Sequence, residues 1–279
     1  MAKNLARTES ISLYVAGAVR SALVRLPATL SSAKAPVVLA LHGSDGSAAG
    51  LELITGYDEI ADREGVFVVY ADGLPIDLGA GFVSRSWNSG ECCEPATSAQ
   101  VDDVEFLDTL LDMVLRRFPV DPNRVFVLGH SNGAIMAQLL ACRLADRLAG
   151  VASVAGSLDD TVTCEPSRPV PFLEIHGTAD QNVLWEYGQR SVSEWRAFDR
   201  CVDQANQVVE RDVTTTTWSG CADNTVVRFV SIEGADHPWP SQRTPTFDGL
   251  AISSALDATE ATWSFFSSVS PRQTASHPA

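Results

Sequence analysis

Residues Arg124–Leu140 read RVFVLGHSNGAIMAQLL, an apolar, β-branched run followed by a glycine-bounded turn and a second apolar run. The first run predicts a buried strand, and the second predicts a helix that begins at Asn132. The turn holds Ser131 between Gly129 and Gly133, and small neighbours allow the strand and helix backbones to approach each other closely. This strand–turn–helix setting of a G-x-S-x-G motif predicts an exposed nucleophilic serine beside the free N–H groups of a helix N-terminus.

The segments on either side of this turn alternate between buried strands and amphipathic helices. The strand candidates span residues 37–42, 66–70, 124–129, 150–154, 170–175 and 225–232. The helix candidates span roughly 54–64, 102–117, 132–147, 186–200 and 254–267. Strands without polar alternation that take turns with helices predict a mostly parallel sheet covered by helices on both faces. We therefore predict a doubly wound α/β fold, preceded by an antiparallel hairpin over residues 11–26.

Length and charge limit the classes of protein to consider. The chain has 279 residues, of which 45% are hydrophobic and 20% charged, and this predicts one globular domain over residues 1–270 with a disordered tail over 271–279. The net charge of −15 argues against nucleic acid and against an anionic membrane surface as partners. No apolar run approaches the ~20 residues of a membrane helix.

Six cysteines lie at positions 92, 93, 142, 164, 201 and 221. Their spacing lacks the paired CxxC groups of a zinc site, so we expect a partial set of disulfides and no metal. Disulfides favour an oxidising compartment, yet the N-terminus has no apolar signal-peptide block. Two alternatives follow, an intracellular protein or an exported one whose signal has been removed.

The base that activates the serine is found by elimination among five histidines. His277 lies in the predicted tail, and His130 adjoins the nucleophile, so the turn should direct its side chain elsewhere. His42 and His176 each end a strand before a glycine, where we expect them to hold loops. His237 remains, and it follows the last strand candidate, where α/β folds of this kind bring their catalytic histidine.

The third member of a triad orients the histidine and should lie between serine and histidine in chain order. Asp180 fits this requirement, because it follows a buried strand and a turn of small residues. Asp159 and Asp160, after the preceding strand, are the alternative. An aspartate in a polar turn is otherwise most often a simple cap.

Two further segments are expected at the site. After the strand that ends at Leu41, a glycine-rich turn offers the backbone N–H of Ser44, with Gly43 as its neighbour, and Asn132 offers a second N–H; together they would form an oxyanion hole. An ordinary glycine turn is the alternative. The connection Gly73–Val101 is long, and long loops in compact domains are usually functional.

Together these segments resemble the polyhydroxybutyrate depolymerase-like and feruloyl esterase-like group of α/β-hydrolases, which includes carbohydrate esterases. The resemblance covers nearly the whole chain, from about Val15 to Phe266. Its marks are Leu41-His42-Gly43, Tyr70-Ala71-Asp72-Gly73, Ser86-Trp87-Asn88 with Cys92-Cys93, Val101-Asp102-Asp103-Val104, the GHSNG turn, His176-Gly177-Thr178-Ala179-Asp180 and His237-Pro238-Trp239-Pro240.

The resemblance implies a secreted serine esterase of the α/β-hydrolase fold without a large lid domain, with Ser131, Asp180 and His237 as the triad and no metal or cofactor. It also suggests the Cys201–Cys221 pair, which flanks a loop beside the last strand, and leaves the pairing of the other four cysteines open. Pro238 and Ala71 depart from the residues usual in this group, so we expect the rim of the pocket to differ from that of relatives.

Four aromatic residues follow predicted strand ends near the site, namely Trp87, Trp185, Tyr187 and Trp239. Two roles are open for them, stacking on an aromatic acyl group or a sugar ring of the substrate, or packing of loops.

We predict a two-step ester hydrolysis on a small-molecule or oligomeric ester, with a feruloyl, acetyl or hydroxyalkanoate acyl group, by a chain assumed to be monomeric. The rivals are a polyester depolymerase, a peptidase or lipase, and an acyltransferase that uses the same triad. A catalytically inactive binding module is a further alternative, but it would lack a triad member.

Overall fold

The structure is a computed structural model that describes residues 7–29, 33–202, 204–242, 246–247 and 250–272. Its centre is a ten-stranded sheet with the strand order β1-β2-β4-β3-β7-β8-β9-β12-β11-β10. The strands of this sheet are β1 (Arg7–Val15), β2 (Ala18–Leu26), β3 (Ala35–Leu41), β4 (Phe67–Ala71), β7 (Val120–His130), β8 (Gly150–Val154), β9 (Phe172–Gly177), β10 (Asn206–Glu210), β11 (Val213–Trp218) and β12 (Val227–Ile232).

The six central strands, β4, β3, β7, β8, β9 and β12, are parallel to one another, and antiparallel strands complete the sheet at both edges. Two small hairpins lie outside it, β5 (Ile76–Gly79) with β6 (Phe82–Ser84), and β13 (Thr246–Phe247) with β14 (Leu250–Ala251). The mostly parallel sheet and the hairpin that precedes it confirm the predicted architecture.

Helices cover both faces of the sheet. They are α1 (Ala48–Thr55), α2 (Tyr57–Glu64), α3 (Asp103–Arg117), α4 (Asn132–Arg143), α5 (Trp185–Phe198) and α6 (Ala258–Ser268). One apolar core contains side chains of α3, α4 and α5 with Val37, Leu39 and Leu41 of β3, and the other contains side chains of α1, α2 and α6 with Val38 and Ala40. Since successive residues of β3 enter opposite cores, the strand is apolar throughout, as a doubly covered strand requires.

Several predicted boundaries were wrong. The helix predicted over 54–64 corresponds to α2 and the last two residues of α1, and most of α1 was not predicted. Gly56 adopts a left-handed conformation with φ 59° and separates the two helices. The predicted helix 132–147 ends at Arg143 and is followed by a short 3₁₀ turn. The hairpin β10–β11 was not predicted, and neither was the β5–β6 hairpin inside the connection 73–101.

Disulfides pair all six cysteines, which lie within the described residues. Cys201 pairs with Cys221, as predicted, and the pairs left open by the sequence are Cys92–Cys93 and Cys142–Cys164. Of the predicted tail, Arg272 donates its backbone N–H to the carbonyl of Asn123, and residues 273–279 lie outside the described chain. None of the helices in the described ranges is long and apolar enough to cross a bilayer.

Candidate active site

Ser131 lies on a sharp turn between the end of β7 and the start of α4. Its backbone has φ 55° and ψ −124°, a region that a residue with a side chain rarely adopts. The flanking glycines make the turn possible: a Cβ on Gly129 would lie 2.0 Å from the carbonyl oxygen of Gly133, and one on Gly133 would lie 2.2 Å from that of Leu41. The glycines therefore have the steric role that the sequence predicted for them.

Three side chains from separate loops at the carboxyl edge of the sheet form one hydrogen-bonded chain. The loop after β12 carries His237, whose Nε2 lies 2.9 Å from Oγ of Ser131 and whose Nδ1 lies 2.8 Å from Oδ2 of Asp180. Asp180 follows β9, and its Oδ1 accepts the backbone N–H groups of Asn182 and Val183 at 2.9 Å each. The structure thus brings together the three residues selected from the sequence.

Asp180 is buried yet ionised. Burial by itself would raise the pKa of this carboxyl, but hydrogen bonds from His176 and His237 and from the backbone outweigh burial and hold the pKa well below its usual range. An ionised Oδ2 accepts the proton on Nδ1 of His237, so the lone pair of Nε2 faces the hydroxyl of Ser131. This tautomer is the one in which the histidine can act as a general base.

The loop that carries His237 is held by two neighbours. His130 donates from Nε2 to the carbonyl oxygen of His237 at 3.1 Å, and Oδ1 of Asp236 accepts the backbone N–H of His237 at 2.8 Å. Burial, followed by the charge of His237, lowers the pKa of His130 to about 4, so this ring is neutral at neutral pH. His130 therefore supports the loop that carries His237, and His237 is the histidine that is hydrogen-bonded to Ser131.

The remaining carboxylate candidates have other partners. Oδ2 of Asp159 accepts the backbone N–H groups of Glu91 and Cys92, and Asp160 forms an ion pair with Arg190 at 3.1 Å. Neither is hydrogen-bonded to His237, so the geometry favours Asp180 over these alternatives.

The predicted oxyanion loop lies against Ser131. A Cβ on Gly43 would lie 3.2 Å from Cβ of Ser131, and the loop is fixed by the backbone N–H of Asp45, which donates to the carbonyl of Arg85 at 2.7 Å. The backbone N–H groups of Ser44 and Asn132 make no hydrogen bond within the described residues. Both donors are therefore available to a ligand.

The connection 73–101 is joined to the turn at Ser131 through the side chain of Asn132. Only the backbone N–H of this residue had a predicted role. Oδ1 of Asn132 accepts the backbone N–H of Trp87 at 2.7 Å, and its Nδ2 donates to the carbonyl of Trp87 and to the hydroxyl of Ser89, at 3.1 Å each. The indole N–H of Trp87 donates to the carbonyl of His42 at 2.8 Å. These bonds fix the backbone next to both predicted oxyanion donors.

The stacking role considered for the aromatic residues needs correction. Trp87 and Trp239 are buried, and the indole N–H of Trp239 donates to Thr259. Trp185 packs against Phe229 and donates to Ser231. Burial therefore keeps Trp87 and Trp239 from a substrate, and Trp185 is partly buried against the core and does not line the cavity described next. Tyr187 is exposed on α5 but does not line the cavity described next.

A cavity of about 270 Å³ opens over Ser131 and His237. It is lined by His42, Gly43, Ser44, Gly46, Ser47, Gly50, Leu51, Ile54, His130, Ser131, Asn182, His237 and Pro238. Its apolar wall comes from Leu51 and Ile54 of α1, a helix of which only the last two residues fell inside a predicted helix. Within the described ranges, no group of three or more His, Cys, Asp or Glu side chains is arranged to hold a metal ion.

This arrangement agrees with a comparison of the sequence with protein families. The family model named Esterase matches residues 16–242, which is well over half of the chain. The chain belongs to the Esterase family.

Two curated relatives show how varied such esterases are. Feruloyl esterase B of Piromyces equi is 27% identical over 238 residues, in a match that covers 78% of this esterase and 42% of the relative. The poly(3-hydroxybutyrate) depolymerase of Ralstonia pickettii is 24% identical over 252 residues, covering 76% of this esterase and 50% of the relative. The chain spans half or less of the length of these two relatives.

Superposition on solved structures identifies the fold of this chain. Acetyl xylan esterase from Aspergillus awamori superposes with a TM-score of 0.63 at 14% identity, over 80% of this esterase and 90% of that chain. A ferulic acid esterase from Anaeromyces mucronatus superposes with a TM-score of 0.59 at 16% identity, over 95% and 90% of the two chains. The esterase has the α/β-hydrolase fold, as predicted.

Proposed function

We propose that this esterase is a serine carboxylic-ester hydrolase with Ser131 as nucleophile, His237 as general base and acid, and Asp180 as the group that orients His237. The observation that carries the proposal is the continuous hydrogen-bonded order Asp180–His237–Ser131, with heavy-atom distances of 2.8 and 2.9 Å. Such a chain of acceptor, imidazole and hydroxyl is the arrangement that activates a serine at neutral pH.

The reaction proceeds in two steps through an acyl-enzyme. Oγ of Ser131 bonds to the ester carbonyl carbon while its proton passes to Nε2 of His237, and the alcohol then leaves with that proton. A water molecule gives its proton to Nε2 as its oxygen bonds to the acyl carbon, and the acid is released as the proton returns to Ser131. The backbone N–H groups of Ser44 and Asn132 stabilise the oxyanion in both steps.

The size and lining of the cavity favour a compact acyl group. About 270 Å³ is at or below the small end of ligand pockets, and the side of α1 supplies an apolar wall through Leu51 and Ile54. The names of relatives, which include feruloyl esterase, acetylxylan esterase and poly(3-hydroxybutyrate) depolymerase, agree with short or aromatic acyl groups. We therefore propose acetyl or feruloyl esters of carbohydrates, or hydroxyalkanoate oligomers, as substrates.

We also propose an extracellular location and an uncharged substrate. Three disulfides in the described residues support an oxidising, extracellular location. The net charge of −15 supports a neutral ester substrate over nucleic acid or an anionic membrane surface.

A panel of esters tests the substrate class. The kcat/KM for p-nitrophenyl esters is expected to fall by at least about tenfold from acetate or butyrate to palmitate, because a long chain cannot enter the cavity. Methyl ferulate, acetylated xylan and 3-hydroxybutyrate oligomers then identify the natural acyl group. Ile54→Ala, which removes part of the cavity wall, should raise the kcat/KM for longer chains relative to acetate. A preference of the wild-type enzyme for palmitate would contradict the assignment.

A further inference from the structure

A buried pair of ionisable side chains lies directly behind Asp180. Glu174 and His176 project from the same strand, β9, and neither side chain has any exposed surface. Nδ1 of His176 lies 3.0 Å from Oε1 of Glu174, and its Nε2 lies 2.8 Å from the carbonyl oxygen of Val183 and 3.4 Å from Oδ2 of Asp180. One imidazole therefore links a second carboxylate to the proposed catalytic one.

The partners of His176 determine where its protons lie. Nε2 faces a carbonyl oxygen and the ionised Asp180, both of which only accept, so Nε2 carries a hydrogen. Nδ1 faces the carboxyl of Glu174 at hydrogen-bonding distance, and a proton must lie between them, since two lone pairs at that distance in a buried site repel each other. The pair thus holds one proton more than a neutral imidazole and a carboxylate would hold together.

The pKa values of the pair agree with this assignment. Burial would lower the pKa of His176, but its bonds to Asp180 and Glu174 outweigh burial and raise the pKa to about 10. Burial raises the pKa of Glu174, a rise that the bond to His176 opposes. The side of His176 that faces Asp180 is therefore positive throughout the neutral pH range.

The surrounding elements are built around this pair. A Cβ on Gly188 of α5 would lie 2.4 Å from Nδ1 of His176, so only glycine lets the helix approach the ring. The backbone N–H of Gly156 reaches Oε1 of Glu174 at 3.4 Å, and Ser153 of β8 interacts with the same carboxyl. Neutral polar groups continue the network, from Gln138 of α4 to Ser153 at 3.1 Å and from Trp195 of α5 to Gln138 at 3.0 Å.

We propose that Glu174 and His176 are positioning residues that hold the turn 180–183 and keep Asp180 ionised for its bond to Nδ1 of His237. The proposal rests on the proposed triad. His176 acts through Asp180, because its Nε2–H secures the carbonyl of Val183 while its positive charge lies beside Oδ2 of Asp180.

The other ionisable groups around His237 do not have this effect. His130 approaches from the end of β7 and is neutral, and Asp236 of its own loop accepts its backbone N–H. From β9 come the pair and, after its end, Asp180, and α5 approaches His176 at Gly188, which has no side chain. Among these groups, His176 is the one whose positive charge can be removed without altering a triad residue.

The test is the pH dependence of kcat/KM for p-nitrophenyl acetate in Glu174→Gln. The amide can donate to Nδ1, which leaves His176 neutral with its Nε2–H in place. The acid limb of the profile is then expected to move to higher pH by roughly half a unit or more, because His176 no longer offsets part of the negative charge of Asp180, with KM nearly unchanged. The double variant E174Q/H176Q, which also removes the imidazole N–H, should lower kcat by about tenfold.

Asp199→Asn is the matched control. Asp199 is also a buried carboxyl, but it accepts the backbone N–H of Val170 at 2.9 Å, near the other end of β9 from the triad. Its variant should have altered stability with the wild-type pH profile. If E174Q does not fold, the double variant decides, and nitrogen-15 NMR of the wild-type histidines tests the charge with no variant.

The experiments distinguish a failure of the proposal for Glu174 and His176 from a failure of the proposed function. A wild-type enzyme without Ser131-dependent hydrolysis overturns the triad. An active wild-type enzyme whose E174Q profile is unchanged overturns the inference about Glu174 and His176 alone. So does an NMR spectrum at pH 8 in which no histidine is doubly protonated, whereas a doubly protonated imidazole that E174Q removes supports the inference.

Discussion

Replacing Ser131 with alanine is expected to lower kcat for p-nitrophenyl acetate by about a millionfold, while the fold and the melting temperature change little. The hydroxyl has no partner in the described chain that packing depends on, since its hydrogen bond is to Nε2 of His237. Without it, no covalent bond to the acyl group can form, and only the oxyanion donors remain. Steady-state kinetics with freshly purified S131A measures the loss.

Ser47→Ala is the matched control for this experiment. Ser47 lines the same cavity, and its Oγ accepts the backbone N–H of Gly50 at 3.1 Å as the N-cap of α1. Its removal should reduce the free energy of unfolding by about 1 kcal/mol and change kcat only a few-fold. If S131A kept one per cent of wild-type activity, or if S47A lost as much as S131A, Ser131 would not be the nucleophile.

Asp180→Asn should lower kcat by about ten thousandfold, although the side chain keeps its size. The amide carbonyl would take the backbone N–H groups of Asn182 and Val183, which leaves the NH₂ group facing Nδ1 of His237. Nδ1 must then accept, Nε2 carries the hydrogen, and the imidazole can no longer take the proton of Ser131. The loss of activity thus results from the wrong tautomer of His237.

Two readouts identify this cause. The loss should shrink at high pH and should spare KM, because substrate binding does not depend on the tautomer. Asp160→Asn is the control, since Asp160 pairs with Arg190 at the surface and was the alternative acid in sequence. A D160N variant as inactive as D180N would contradict the assignment of Asp180.

The fold could be predicted from sequence for strands that are buried on both faces, because such a strand is apolar along most of its length. The strand Ala35–Leu41 is apolar throughout because its alternate residues enter two cores, whereas β11, with four consecutive threonines, is only partly buried and has no such pattern. Most of α1 was not predicted, and the helix predicted over 54–64 runs across Gly56, which ends α1 in the structure.

The placement of Ser131, Asp180 and His237 beside one another could be predicted because each residue has a local signal and the fold fixes the order of such residues along the chain. Ser131 has its glycines, and Asp180 and His237 follow strands that end at the same edge of the sheet. The roles of the aromatic residues could not be predicted, because the sequence does not tell which way a side chain faces after a strand. Trp87 and Trp239 are buried, and the apolar wall of the cavity is formed by Leu51 and Ile54.

The most direct test of the account is the site of covalent modification by a fluorophosphonate, which reacts as an ester does but stops at the covalent stage. The intact mass of the wild-type enzyme should rise by one phosphonyl group, peptide mapping should place it on Ser131, and hydrolysis should stop in proportion. S131A should take up none. Full labelling at another residue, or hydrolysis that persists after Ser131 is labelled, would contradict the proposal that this enzyme works through a serine acyl-enzyme.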